Sequence, residues 1–247
     1  MIKILHYCWF GKNPLRESTQ KYIESWKKYC PDFELKCWDE TNFDIESVPF
    51  TADAYSEKKW AFVSDYVRTY ALYHEGGLYL DTDVELIGSL DDLLAYSFLG
   101  FEEIDYVNPG LIAYASEKQM DFYGQVLEKY HSIKFDVNHL FEMTSPIIYT
   151  EILEKAGLKR DGSFQCIDGI NVYPTEYFNP LGKDWRRREF FTKNTRSIHH
   201  FHASWFEKTE RQYFLLRRTH GEFWGKVLFC LQHPVKGFKK WLASRNR

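Results

Sequence analysis

Blocks of apolar and polar residues change period along the chain and predict alternating strands and helices. Ile2–Phe10 is an apolar run closed by Gly11 and Pro14, which predicts a first strand. Leu15–Tyr29 has helical spacing and stops at Cys30-Pro31-Asp32. Phe33–Trp38 alternates like a strand and meets the turn chemistry of Asp39-Glu40-Thr41-Asn42. Trp60–His74 predicts a helix stopped by Gly76-Gly77, and Leu78–Leu86 a strand after it. Ser89 is placed to cap a short helix over Leu90–Ala95. Further strands are expected at Phe98–Phe101 and Leu111–Ala115. Helices are expected over Lys118–Tyr130 and from Thr144-Ser145-Pro146 to Gly157. From Phe164 to His202 the pattern is one of short strands and loops. This alternation predicts an α/β sheet covered on both faces. It also predicts one domain, and the shift to basic charge sets residues 208–247 apart from residues 1–207 as a helical tail.

The chemistry concentrates after one strand. Leu78, Tyr79 and Leu80 read as buried on both faces, and Asp81-Thr82-Asp83 follows at the carboxyl end. Ligands of open α/β sheets bind at that end. In an extended chain Asp81 and Asp83 point to one side. Two carboxylates roughly 6 Å apart repel by about 3 kcal/mol at an effective dielectric near 20. A divalent cation such as Mn²⁺ or Mg²⁺ reverses that sign, and a diphosphate is its usual companion. A solvated polar turn would show the same three letters.

Trp60–His74 is apolar nearly all round, yet Ser64, Asp65, Arg68 and Thr69 form one narrow stripe on it. Buried charges must be paired or bound. An internal Asp65–Arg68 ion pair meets that need, as does a ligand whose hydroxyls and phosphate face the two. Ser197–Trp205 carries three of the nine histidines, and in a strand His200 and His202 share a face. An imidazole there could complete a carboxylate-rich metal site.

Composition narrows the class. Hydrophobic residues make up 44% of 247 and charged residues 27%, enough for one core. Five cysteines without C-x-x-C spacing exclude a zinc ribbon or a full disulfide framework and favour a reducing cytoplasm. No apolar run reaches a membrane-spanning length, and the first residues lack the basic start of a secretory signal. The aromatic share, 18%, is high enough to include rings that stack on bases or sugars as well as core.

Three segments in order resemble the bacterial capsule-type sugar transferases of glycosyltransferase family 32. They are His6-Tyr7-Cys8-Trp9-Phe10-Gly11, Ala61-Phe62-Val63-Ser64-Asp65-Tyr66-Val67-Arg68 and Gly76-Gly77-Leu78-Tyr79-Leu80-Asp81-Thr82-Asp83. The likeness runs from Met1 to about Trp205. It implies a GT-A type nucleotide-diphospho-sugar transferase fold, with a mixed, mostly parallel sheet flanked by helices. It also implies Mn²⁺- or Mg²⁺-dependent transfer of a hexose from a UDP-sugar, with retention, to a glycan or lipid-linked oligosaccharide in capsule, exopolysaccharide or lipopolysaccharide synthesis. By the same resemblance Trp9 stacks on uracil, and Asp65 and Arg68 grip ribose and sugar. Tyr79 lies near the nucleotide, and Asp81 and Asp83 hold the metal. His200, Ser204 and Trp205 match an element that closes over metal and diphosphate, with His200 as a third ligand. Asn108-Pro109-Gly110 departs from the glycine-richer acceptor-side segment of the family.

The tail changes the picture of where the enzyme works. Residues 208–247 hold ten Lys/Arg and two acids, whereas residues 1–207 hold 22 Lys/Arg and 33 acids. Basic, aromatic helices lie on anionic membrane surfaces, so a peripheral site on the inner face of the cell membrane is expected. Nucleic acid is disfavoured by the acidic body. A nucleotide-sugar hydrolase or a nucleotidyltransferase could use the same Asp81/Asp83 site. A non-catalytic sugar-binding protein would need neither carboxylate.

Overall fold

The structure is a computed structural model and describes residues 1–182, 191–202 and 208–234. In chain order the elements are β1 (Ile4–Cys8), α1 (Glu17–Tyr29), β2 (Glu34–Trp38), α2 (Pro49–Ser56) and α3 (Trp60–Glu75). There follow β3 (Gly77–Tyr79), β4 (Val84–Leu86), β5 (Ser97–Glu103), β6 (Tyr106–Val107) and β7 (Ala113–Ala115). Next come α4 (Asp121–Ser132), α5 (Ser145–Lys155), β8 (Gln165–Ile167), β9 (Ile170–Tyr173) and α6 (Thr175–Phe178). β10 (Ser197–His199) and α7 (Lys208–Gln232) complete the described part.

The main sheet has the order β2-β1-β3-β7-β5-β9-β8, with β6 added on β5. β1 pairs in parallel with β2 and β3, and β5 with β9; β7 runs antiparallel between β3 and β5. Five of the eight strands (β1, β2, β3, β5 and β9) run one way, which gives the mixed, mostly parallel sheet flanked by helices that the resemblance implies. Alternation along the strands supplies both faces. Leu78, Phe98 and Tyr114 point into one apolar layer with Trp26, while Tyr79, Leu99 and Ala113 point into the other with Phe62 and Val67. α3 lies against β1, β3 and β7 in the second layer, with α2 and α4 packed on it. That helix is apolar all round because it has neighbours all round.

His6, in the first of the family-like segments, is a structural latch. It is fully buried. Its Nε2 lies 2.8 Å from the Gly76 carbonyl, and the Trp38 indole N–H donates to its Nδ1 at 3.1 Å. Burial pushes its pKa down, which keeps the ring neutral and able to both give and receive. It ties β1 to β2 and to the exit of α3.

Three expectations differ from the structure. Leu78–Leu86 is two strands rather than one: the Val84 N–H closes a turn on the Asp81 carbonyl at 3.0 Å. β4 then leaves the main sheet and pairs antiparallel with β10. The Leu90–Ala95 segment is a series of turns, with Ser89 Oγ accepting from the Asp91 N–H at 3.1 Å but no helix following. α2 is absent from the pattern read above, since eight residues hold too little periodicity to register.

Candidate active site

The carboxyl ends of β1 and β3, the stripe of α3, the start of α5 and the end of β10 converge on one cavity of about 840 Å³. Asp65 and Arg68 enter it from α3. Ser145, at the first turn of α5, donates its hydroxyl to Asp65 Oδ1 at 2.8 Å and its backbone N–H to Oδ2 at 3.3 Å. A carboxylate at a helix N-terminus is favoured by the unpaired amides there. Burial pushes the Asp65 carboxyl up to about 6, against the opposing pull of Arg68.

Arg68 is the hub. Its Nη2 reaches Asp65 Oδ1 and Asp81 Oδ1, both at 2.9 Å, and the side chain is only 4% exposed. Its guanidinium also stacks on the Tyr79 ring, 4.9 Å from the centroid. The Tyr79 hydroxyl donates to Asp81 Oδ1 at 2.8 Å. The internal ion pair exists, and it extends outward to the first aspartate of the D-x-D.

Asp81 Oδ1 is thus fully engaged, which leaves Oδ2. A Cβ at position 110 would lie 2.3 Å from that atom and 2.8 Å from Arg68 Nη1. Gly110 is the residue that leaves this space open. Its N–H is held by Asn108 Oδ1 at 2.7 Å, and its carbonyl accepts from the Asp81 N–H at 3.1 Å. The Asn108-Pro109-Gly110 segment, an unexplained departure on sequence grounds, is the wall behind Asp81.

Asp83 is held from β10 and the turn after it. Its Oδ1 lies 2.9 Å from His199 Nε2, and its Oδ2 accepts the His202 N–H at 2.6 Å. Burial alone would raise the Asp83 carboxyl, but His199 and the amide hold it well below the usual carboxylate range. His199 is correspondingly raised: burial opposes the charged ring, and the Asp83 carboxylate outweighs it. Asp81 is shifted up, by burial first and by the nearby Asp83 charge, with Arg68 pulling the other way.

Ligand atoms of Asp81, Asp83 and His199 lie within 4.8 Å of one another. Two hard carboxylates and one imidazole fit a divalent cation of the Mn²⁺ or Mg²⁺ kind. The buried His199 Nδ1, which has no hydrogen-bond partner among the described residues, agrees with that fit. His200, expected as the third ligand, is directed elsewhere. Its Nε2 meets Glu85 Oε2 at 2.9 Å and its ring stacks on Tyr22 at 4.6 Å. β10 ends at His199, so side-chain alternation sends neighbouring histidines to opposite sides. His199→Ala is expected to lower metal-supported turnover by about thirtyfold or more, and His200→Ala by less than about threefold. Steady-state assays at saturating metal compare the two.

Trp9 lines the same cavity, its indole N–H donating to the Asn13 carbonyl at 2.5 Å. Glu102 and Glu103 also line it. Asn108 Nδ2 donates to Glu102 Oε2 at 2.8 Å, and burial pushes that carboxyl up. Ser204 and Trp205 lie outside the described residues. Phe214 of α7 also reaches the cavity, a contribution the residue pattern of the tail did not disclose.

Comparison with known proteins adds the following. Residues 16–99 match the family model described as a glycosyltransferase sugar-binding region containing a DXD motif. That span holds Asp65, Arg68, Asp81 and Asp83 and ends before β10. The fold is similar to a solved structure described as PaToxG Glycosyltransferase, with a TM-score of 0.51 at 16% identity over 62% of this chain and 69% of that one. It is also similar to a glycosyltransferase involved in the glycosylation of the major capsid of PBCV-1, with a TM-score of 0.47 at 11% identity over 84% and 97%. No curated protein matches the chain in sequence.

Proposed function

We propose that this chain, whose residues 16–99 match the DXD-containing glycosyltransferase sugar-binding region, moves a hexose from a UDP-sugar to a hydroxyl of a glycan or lipid-linked oligosaccharide. The observation that carries the reading is the cluster of Asp81, Asp83 and His199 at the floor of a cavity large enough for a nucleotide sugar. Asp81, Asp83 and His199 would hold a divalent cation, which would supply Lewis-acid stabilisation to the departing diphosphate.

The chain's own groups have distinct tasks. Trp9 offers a ring to the pyrimidine, with its N–H already engaged by the Asn13 carbonyl. Asp65 accepts from ribose or sugar hydroxyls. Arg68 is locked between two carboxylates, so it faces the β-phosphate without reorganising as charge grows there. Preorganised charge of this kind acts most strongly in a water-poor site. Glu102 and Glu103, which line the cavity, are assigned to orienting the acceptor hydroxyl. The anomeric carbon–phosphate oxygen bond breaks as the acceptor oxygen bonds to that carbon, through an oxocarbenium-like state. The acceptor proton leaves with the diphosphate or to solvent. Retention places the attack on the leaving-group face.

Calorimetry of UDP binding with and without Mn²⁺ tests the site. At least about a tenfold tightening by the metal is expected. UDP affinity indifferent to Mn²⁺ overturns the reading. A panel of UDP- and GDP-sugars, run with and without acceptor glycan, then separates transfer from hydrolysis. A hydrolase gains nothing from the acceptor.

A further inference from the structure

α7 is a hairpin in disguise. At Gly221 (φ +80°, ψ 168°) the backbone takes a conformation open only to glycine, and the second half of the helix folds back on the first. The Tyr213 and Phe229 rings meet at 4.8 Å, and Gln212 bonds to both Gln232 and His233. The halves are so close at Gly225 that a Cβ there would lie 2.4 Å from Arg217 Cα. The first half is anchored on the body. Arg218 donates to the Gly182 carbonyl and lies over the Phe201 ring, 3.6 Å from its centroid.

The second half buries Gly225 and Phe229 and turns its other side outward. Phe223, Trp224 and Leu231 are 69%, 60% and 73% exposed, with Val227 and Leu228 half-buried between them. At roughly 100° per residue these five residues cover a continuous arc of about 140°. A contiguous apolar face of this kind marks a contact surface. We propose that it is a docking surface for an anionic lipid bilayer.

Charge selects that occupant. Residues 235–247, which follow directly, carry five Lys/Arg and no acid, and residues 208–247 carry ten against two. The remainder has 22 Lys/Arg against 33 acids, so an anionic surface attracts this end and repels the rest. A second copy of the chain would have to bring two such cationic ends together. The Phe223–Trp224 ring pair, 5.4 Å between centroids, suits the headgroup boundary. No helix among the described residues is long and apolar enough to cross a membrane, so the contact is with the surface.

Vesicle flotation of the full chain tests the proposal, using phosphatidylcholine alone and with about 30% phosphatidylglycerol. Wild type should float with the anionic vesicles at least about tenfold more than with neutral ones, and high salt should reverse this. The triple variant F223S/W224S/L231S changes only exposed positions. It should keep its melting temperature and UDP affinity yet lose about tenfold in partitioning. A K236Q/K239Q/K240Q variant should fall by a similar factor. Equal flotation of wild type and the triple variant overturns the proposal, as does equal binding to both vesicle types. Self-association that the triple variant abolishes, with no vesicle binding by wild type, assigns the arc to a second copy and also overturns it. Because binding is read without turnover, failure here is distinct from failure of the donor site.

Discussion

Replacing Asp83 by asparagine is expected to lower sugar transfer by about a thousandfold, the loss of roughly 4 kcal/mol of transition-state stabilisation. Asparagine has the same shape and still accepts the His202 N–H, but it brings no charge to the floor of the cavity. His199 loses its hydrogen-bonded carboxylate, but Asp81 and Glu102 still favour its charged form, so its ring is not left without acidic neighbours. The fold should therefore lose only about 1–3 kcal/mol, the range for a disrupted buried hydrogen bond. Single-turnover assays beside a thermal melt separate the two effects. A variant that keeps more than about a tenth of wild-type turnover would remove Asp83 from the chemistry. The same variant should bind UDP with an affinity that no longer responds to Mn²⁺.

Arg68→Met should act on the other side, in stability. The guanidinium is buried between Asp65 and Asp81 and pairs with both carboxylates. Methionine keeps much of the volume but leaves two carboxylates facing each other in a poorly solvated site. Breaking one half of a buried pair costs about 3–5 kcal/mol, which for a chain of this size is a melting shift of about 10 °C. Adding Asp65→Asn to Arg68→Met should recover part of that loss. An amide at position 65 can still accept from the Ser145 hydroxyl and carries no charge to strand. Denaturant melts of the single and double variants provide the check. If the double variant is no more stable than Arg68→Met, the destabilisation comes from packing rather than from unpaired charge. On the role proposed for Arg68 at the β-phosphate, neither variant should transfer sugar.

Much of this architecture was legible in the residue pattern. α1, α3 and α5 have apolar periodicity and clear stop signals at Cys30, Gly76 and Gly157, and each is found within two residues of its expected bounds. The D-x-D and the Asp65–Arg68 stripe were legible too, because a charge on an otherwise apolar element must have a partner. The third histidine was not. His199, His200 and His202 are equivalent in composition, and the choice among them depends on where β10 ends and how it registers on β4. That is a long-range pairing, set by residues more than a hundred positions away.

Gly110 shows the same division. As a letter it marks a turn, and only the approach of Asp81 and Arg68 from other elements gives its missing side chain a purpose. The basic, aromatic character of the tail is written in composition, yet its hairpin depends on one glycine dihedral and the packing of Tyr213 against Phe229. Local order and the kinds of chemistry available follow from the chain itself, since they depend on neighbours within a few residues. Which atoms finally meet was decided by the tertiary structure, because contacts between distant segments depend on how whole elements pack.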